Sequence, residues 1–192
     1  QHQFLLQFGC YSFYYYRLRM QTMEDNYDFS KLKKKKKVNS RAKGSTFERQ
    51  IAKLFNNRFN TTEFSRTPGS GAFATTHTLP DYLKIYGDLI TPIKFKYCIE
   101  CKKGYNKENL YSLYNHSSDT WNFIEQCQKD SDKCDKIPMV IFKQDRHPTL
   151  AIVPSNILYQ ATNFIEIYKE SRAFRVYLFD DLLKEADSCW LE

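Results

Sequence analysis

Apolar side chains recur at helical spacing in the segment STFERQIAKLFNNRF, which begins at Ser45. Phe47, Ile51 and Phe55 are spaced by four residues, so they lie on one face of a helix. Ser45 and Glu48 have the spacing of a capping box, in which the two side chains satisfy backbone N–H groups at a helix start. The pattern therefore predicts a helix that begins at Ser45.

Short segments rich in β-branched and aromatic residues follow, and they predict strands. Residues 82–91 and 95–102 are expected to form an antiparallel hairpin around a turn at Ile93 and Lys94. Further strands are predicted in IPMVIFKQD, TLAIVP and FRVYLFD, and further helices in residues 119–133, SNILYQATNFIEIYKE and DLLKEA. This order of elements predicts an α/β fold with a mixed central β-sheet flanked by helices.

The predicted hairpin brings acidic side chains together. In its register Asp88 lies directly across from Glu100, and Lys102 shares a face with Glu100 because strand side chains alternate between faces. Two carboxylates at that separation repel each other unless a cation lies between them. With the carbonyl oxygen of Cys101 they suit a hard cation, Mg²⁺ or Mn²⁺. The alternative interpretation is an edge hairpin whose charged side chains simply face water.

Asp81 is a second acid that could take the place of Asp88. Pairing Asp81 with Glu100 would centre the turn on Ile90, inside an apolar segment, whereas pairing Asp88 centres it beside Pro92, where turns are favoured. We therefore predict that Asp88 faces Glu100.

The six cysteines are interpreted as reduced thiols, because a chain of 192 residues with so few cysteines is not a disulfide-rich domain. Cys98 and Cys101 form a C-x-x-C pair, a spacing also found in zinc sites. On a strand this offset directs the two side chains to opposite faces, so we do not expect them to share a metal ion.

Charge indicates the kind of partner. The chain has 29 Lys and Arg against 22 Asp and Glu, and its formal net charge of +7 favours a polyanion such as nucleic acid. The lysine block KLKKKKKVNSRAKG predicts a basic arm, with a merely solvated tail as the alternative. We expect residues 1–43 to be a disordered or artefactual extension and residues 44–192 to form the folded domain.

The segment 1–22 begins without methionine, and we expect Met20 or Met23 to be the natural start. Its apolar run is too short and too polar for a membrane span, and it lacks the features of a signal peptide. No association with a membrane is expected.

Four segments in order, RAKGSTFERQIAKLF, FSRTPGSGAF, GDL and CIECK, resemble the PD-(D/E)XK nuclease superfamily. Within it they look like archaeal Holliday junction resolvases and related phage endonucleases. The resemblance covers roughly residues 41–145 and implies a restriction-endonuclease-like αβββαβ core, here followed by a C-terminal extension.

The resemblance also implies roles for particular residues. The implied catalytic residues are Asp88, Glu100, Lys102, Glu48 and Ser70. The expected metal ligands are Asp88, Glu100 and Glu48, together with the Cys101 carbonyl that the hairpin places beside them. The residues expected to bind nucleic acid are Arg66, Ser70, Lys103, Lys107, Lys35 and Arg41, with Gln126 as an accessory residue. For Glu48 the alternative is a capping residue without a catalytic role.

The implied reaction is hydrolysis of a DNA phosphodiester bond by a water that Mg²⁺ or Mn²⁺ activates, with Lys102 as base or as electrostatic stabiliser. The expected substrate is branched DNA, such as a four-way junction, cut by a homodimer. The expected location is inside the host cell, in the cytoplasm or nucleoid, and the gene would be viral. The alternatives are a restriction- or repair-type endonuclease on duplex DNA and a catalytically silent DNA-binding protein.

Overall fold

The computed structural model describes residues 39–68 and 86–192. Residues 1–38 and 69–85 lie outside this part of the chain. The predictions made for the basic arm, Lys35, Ser70 and Asp81 therefore stay predictions.

The first helix, α1 (Ser40–Phe59), begins earlier than the sequence predicts. Its N-cap is Asn39, whose side chain accepts a hydrogen bond from the Ala42 N–H at 3.3 Å. Ser45 lies within the helix, where its hydroxyl donates to the Ala42 carbonyl at 3.2 Å. The predicted capping box is wrong because Asn39, six residues before Ser45, already caps the helix start. Glu48 therefore does not cap the helix.

The described residues form further elements in this order: β1 (Ser65–Arg66), β2 (Leu89–Ile90), β3 (Tyr97–Lys103), α2 (Leu110–Tyr114), α3 (Asp119–Cys134), β4 (Ile137–Lys143), β5 (Leu150–Pro154), β6 (Phe164–Lys169), β7 (Arg172–Leu178) and α4 (Phe179–Leu182). A single 3₁₀ turn, Asp187–Cys189, follows α4 in this part of the chain. None of the described helices is both long and apolar enough to cross a membrane.

Among the described residues, five strands form one sheet in the order β3-β4-β5-β7-β6. β3 and β4 are parallel and joined through α3, whereas the other neighbouring pairs are antiparallel. β1 and β2 form a separate antiparallel pair. The prediction of an α/β fold with a mixed sheet flanked by helices is confirmed, and β3, which carries the candidate chemistry, is an edge strand.

Each face of the sheet carries a buried core. One core, on the α1 side, contains Phe47, Ile51, Phe55, Ile99, Cys101 and Ile141. The other core, on the α3 side, contains Trp121, Phe123, Ile124, Val140 and Ile152. Because side chains alternate along β3, Glu100 and Lys102 project to the α3 side.

The predicted helix in residues 155–170 is wrong, since its second half is strand β6. β6 pairs with β7 from Phe164 opposite Tyr177 to Lys169 opposite Arg172. The β-branched and aromatic residues of this segment fit a pleated surface, and pairing with β7 outweighs the helical spacing.

Candidate active site

Asp88 lies immediately before β2, and β2 pairs with β1 instead of forming the predicted long hairpin with β3. The predicted turn at Ile93 and Lys94 does form, closed by a 3.0 Å hydrogen bond from the Phe95 N–H to the Pro92 carbonyl. Among the described residues the hairpin register is therefore wrong. β2 stops short because proline lacks the N–H that would continue a ladder.

Asp88 nevertheless reaches β3, through two other hydrogen bonds. Its backbone N–H donates to the Ile99 carbonyl at 2.8 Å, and its Oδ2 accepts from the Cys101 N–H at 2.8 Å. In a strand, the N–H and C=O of one residue point to the same edge. The carbonyl oxygen of Cys101 therefore lies on the edge that Asp88 occupies.

Thr67 and Gly87 hold Asp88 in this position. The Thr67 N–H donates to the Asp88 carbonyl at 2.9 Å, and the Thr67 hydroxyl donates to the Gly87 carbonyl at 3.1 Å. Gly87 has a φ of +75°, a left-handed conformation that favours glycine. The sequence motifs FSRTPGSGAF and GDL include Thr67 and Gly87, but no role was predicted for either residue, although a glycine directly before the acid was a usable signal.

Gly87→Ala is expected to lower the free energy of unfolding by about 1–3 kcal/mol. An added Cβ would lie 2.7 Å from the Ile99 carbonyl oxygen, on the backbone that Asp88 binds. Gly44→Ala is the matched control, because its Cβ would make an ordinary 3.8 Å contact with Glu48 and glycine weakens a helix interior. Urea unfolding should show the control as neutral or more stable. Equal losses in both variants would contradict this account of Gly87.

Glu100 is almost fully buried, with 2% of its surface exposed. Lys102 Nζ lies 2.5 Å from Glu100 Oε1, but this oxygen has no partner in good hydrogen-bond geometry, so the contact is ionic. The pKa of Glu100 is raised to about 7, mainly by burial and also by the nearby Asp88, while Lys102 opposes the shift. The positive charge of Lys102 is therefore too weak to offset the effect of burial on the pKa of Glu100.

Asp88 shows the same behaviour. The pKa of Asp88 is raised to about 6, mainly by burial; the Cys101 N–H, Lys102 and Arg66 act against the shift, and Glu48 adds to it. Two neighbouring carboxyl groups therefore both resist ionisation at the edge of β3. A divalent cation between them would reverse that resistance.

Lys102 is held by contacts from α3. Its Nζ donates to Gln126 Oε1 at 3.2 Å and lies 5.3 Å from the ring centre of Phe123. Burial acts to lower the pKa of Lys102, but Glu100 and Asp88 outweigh it and the net shift is upward. The structure thus brings the sequence-predicted Gln126 to Lys102. The structure also places the Phe123 ring beside Lys102. The sequence analysis had predicted no role for Phe123.

Glu48 projects from α1 and is buried, at 7% exposure. It forms an ion pair with Arg66 of β1, in which Arg66 Nε donates to Glu48 Oε2. Its charge also acts on Asp88. Glu48 therefore lies at the α1 side of the site, joined to it through Arg66.

The remaining predicted residues are more dispersed. Arg41 is exposed near the start of α1, and Lys107 is exposed in the loop after β3. Lys103 Nζ lies 5.6 Å from the Phe47 ring centre. Cys101 belongs to the α1-side core, whereas the Cys98 thiol interacts with the thiol of Cys127 from α3. The two cysteines of the C-x-x-C pair lie on opposite faces, as predicted.

The donor set fits a hard divalent cation. Asp88 and the Cys101 carbonyl supply oxygen atoms on one edge of β3, and Glu100 supplies another from the adjoining α3-side face, near enough for Asp88 to raise its pKa. Within residues 39–68 and 86–192, no cluster of three or more His, Cys, Asp or Glu side chains could hold a metal. The ion would take its other ligands from backbone, water and phosphate, as Mg²⁺ commonly does.

A mixed sheet flanked by helices, with an Asp, a Glu and a Lys converging on its edge strand, is the core of a PD-(D/E)XK nuclease. The family described as "Phage putative PDDEXK endonuclease" matches residues 39–191, and the chain belongs to this family. Protein D14 of Escherichia phage T5 is 34% identical over 125 residues, which cover 62% of this chain and 73% of that protein. No solved structure matches the chain significantly. The predicted membership in the superfamily and the relationship to phage endonucleases are confirmed.

Proposed function

We propose that the protein is a Mg²⁺- or Mn²⁺-dependent endonuclease that cuts branched DNA in the manner of a Holliday junction resolvase. The observation that carries the proposal is the meeting of Asp88, Glu100 and Lys102 at the edge of β3. All three side chains required by the superfamily are present, which argues against a catalytically silent DNA-binding protein.

Asp88, Glu100 and the Cys101 carbonyl would hold the divalent ion. A divalent ion held by these groups would supply a lowered pKa for the attacking water and positive charge against the phosphate. Glu48 would add negative charge on the Asp88 side, and its ion pair with Arg66 would fix where that charge lies. Ser70, which is outside the described residues, would lie near the scissile phosphate.

Lys102 would act on the phosphate as a positioned positive charge. Its pKa is raised despite burial because Glu100 and Asp88 favour the ammonium form. Gln126 and Phe123 hold Nζ in place, so little rearrangement is needed when negative charge develops on a nonbridging oxygen. This favours electrostatic stabilisation over a role for Lys102 as the general base.

Basic side chains outside the centre would contact the DNA backbone. Lys107 and Arg41 are exposed, and Lys103 and Arg66 are partly exposed. With Lys35 of the predicted arm they would give binding that weakens steeply with salt and depends little on base sequence.

A homodimer would supply two sites for the two symmetric cuts that a four-way junction requires. Aromatic side chains could form the dimer surface only where they are exposed: Phe142 lies in the α3-side core, and Tyr159 donates to the Tyr97 hydroxyl at 2.7 Å. Phe164 and Tyr168 are 41% and 60% exposed on β6, the edge strand opposite β3. We therefore propose β6 as the dimer surface. The enzyme would act in the cytoplasm or at the nucleoid of a phage-infected cell.

The full chain is expected to cut a four-way junction faster than a linear duplex of the same sequence, with Mg²⁺ and not with a chelator. Sedimentation should give a dimer, and a charge placed on β6 by Tyr168→Glu should yield monomers that nick junctions without resolving them. A monomeric wild-type protein that cuts duplex as fast as junctions would contradict the resolvase proposal. It would favour a restriction- or repair-type endonuclease.

A further inference from the structure

Residues 105–114 lead away from β3 and carry exposed aromatic and apolar side chains. The exposed fractions are 43% for Tyr105, 69% for Leu110, 81% for Tyr111 and 83% for Tyr114. We call these four residues the tyrosine surface. A group of large apolar side chains exposed together commonly marks a binding site.

Helix α2 directs its apolar face outward. Leu110, Tyr111 and Tyr114 have the spacing that places them on one side of a helix. Leu113, on the other side, packs against the α3-side core, and its carbonyl accepts a hydrogen bond from the Trp121 indole at 3.4 Å. Leu113 thus anchors α2 to the core. Leu110, Tyr111 and Tyr114 do not contribute to core packing, so packing does not explain why these three exposed residues are apolar.

The segment is held in place by the loop between β4 and β5. The Gln144 side chain donates to the Tyr105 carbonyl at 3.2 Å and to the Glu108 carbonyl at 2.8 Å. Asn106 exchanges two hydrogen bonds with Asp145, at 2.9 and 3.0 Å. The tyrosine surface is therefore presented by an ordered backbone, which lowers the entropic cost of binding.

Tyr105 joins this surface to the active site. Its ring centre lies 4.7 Å from that of Phe123, the same ring over which Lys102 Nζ lies at 5.3 Å. Tyr105 also has a φ of +50°, an unfavourable conformation for an aromatic residue and one that is enriched at functional sites. A strand of DNA at Lys102 would meet Tyr105 next.

Positive charge accompanies the aromatic residues. Lys107 is exposed within the segment, and Arg146 is exposed beside Asp145 in the loop that anchors it. Aromatic side chains interspersed with basic ones are the pattern by which proteins bind single-stranded nucleic acid, since bases stack and phosphates pair with cations. Bases in an intact duplex are already stacked and leave no face open to a tyrosine.

We propose that the tyrosine surface stacks unpaired bases of DNA that continues from the scissile phosphate, so that the substrate has a single-stranded segment beside the cut. This inference rests on the proposed function and narrows its substrate to branches with unpaired bases. Tyr105 would contact the base nearest the cut, and α2 would contact bases further along.

The test is binding of a fluorescein-labelled oligothymidine of about 12 nucleotides to the full chain in a chelator, followed by anisotropy. The double substitution Tyr111→Ala with Tyr114→Ala is expected to weaken binding about tenfold or more, because stacking is lost. Tyr111→Phe with Tyr114→Phe should keep most of the affinity, since the rings remain. Both positions are highly exposed, and circular dichroism should confirm that the variants stay folded.

Leu158→Ala is the control, because Leu158 is 75% exposed and follows β5 at the other end of the sheet. It should bind like the wild type. Unchanged oligothymidine binding by the double alanine variant overturns the inference. The same result with a lower sedimenting mass would instead assign the surface to a second copy of the chain.

The outcome is separable from that of the proposed nuclease site. If Glu100→Gln still cuts DNA, the proposed site fails, yet loss of binding in the double alanine variant would still support the tyrosine surface. If Glu100→Gln is inactive and the double alanine variant binds normally, the nuclease site stands and the tyrosine surface does not.

Discussion

Glu100→Gln is expected to slow Mg²⁺-dependent DNA cleavage by at least about a hundredfold, since losing even an outer partner of a metal site often costs 10–100-fold. The substitution keeps the shape of the side chain and removes the charge that would hold the cation. The fold should survive, because Glu100 is 2% exposed and its carboxyl group is already destabilised by burial and by Asp88. Single-turnover cleavage of a labelled junction measures the effect.

Glu63→Gln is the matched control for this experiment. Glu63 is exposed in the loop between α1 and β1, beside Phe59 and Ile93. The same chemical change there should leave the cleavage rate within about twofold of the wild type, as for most surface substitutions. Undiminished cleavage by Glu100→Gln would show that the active site lies elsewhere.

The free energy of unfolding of the metal-free protein is expected to fall as the pH rises from about 4 to about 7, owing to Asp88 and Glu100. Their pKa values are raised from 3.8 to about 6 and from 4.5 to about 7. The folded state therefore binds more protons than the unfolded state in this window. The stabilisation is present below the ordinary pKa values and is lost as the pH passes through the raised ones.

The contribution of the two groups is on the order of a few kcal/mol. Other carboxyl groups titrate in the same range, so the quantity to compare is the difference between the wild type and the double variant Asp88→Asn with Glu100→Gln. Urea unfolding in a chelator should show this difference growing with pH, in favour of the variant. Added Mg²⁺ should restore the wild type at pH 7–8 and leave the variant unchanged. A difference that does not vary with pH would contradict the raised pKa values.

The sequence analysis predicted that Asp88 lies beside β3 because the two segments were expected to form one hairpin. That hairpin was only partly right. The turn next to Pro92 was predicted correctly, but the predicted ladder was not, because β2 pairs with β1. Asp88 reaches β3 through its own carboxylate, which accepts the Cys101 N–H. A pattern of alternating residues predicts which segments are extended, but it carries no information on side-chain hydrogen bonds to a neighbouring strand.

Two helix predictions failed because local spacing was outweighed by other interactions. At the start of α1, Asn39 offered a better cap than Ser45, and the residues between them do not stop a helix. In residues 155–170, pairing with β7 decided the structure, and no local pattern reports which strand lies across the sheet.

The contacts that complete the candidate site join residues that are distant in the sequence. Glu48 was identified from its position on the first helix, but its ion pair with Arg66 depends on how α1 packs against β1. Gln126 was expected near the site, whereas the position of the Phe123 ring beneath Lys102 follows from the packing of α3 on β3. The residues of the site could be predicted from the sequence. The contacts that they make could be identified only in the folded structure.

The central claim is that Asp88 and Glu100 together hold a divalent cation. Calorimetric titration of Mn²⁺ into the wild-type protein, into Asp88→Asn and into Glu100→Gln tests it without relying on cleavage. The wild type should bind Mn²⁺ at a saturable site at neutral pH, and each variant should lose at least about tenfold in affinity. Equal affinity in all three proteins would contradict the claim.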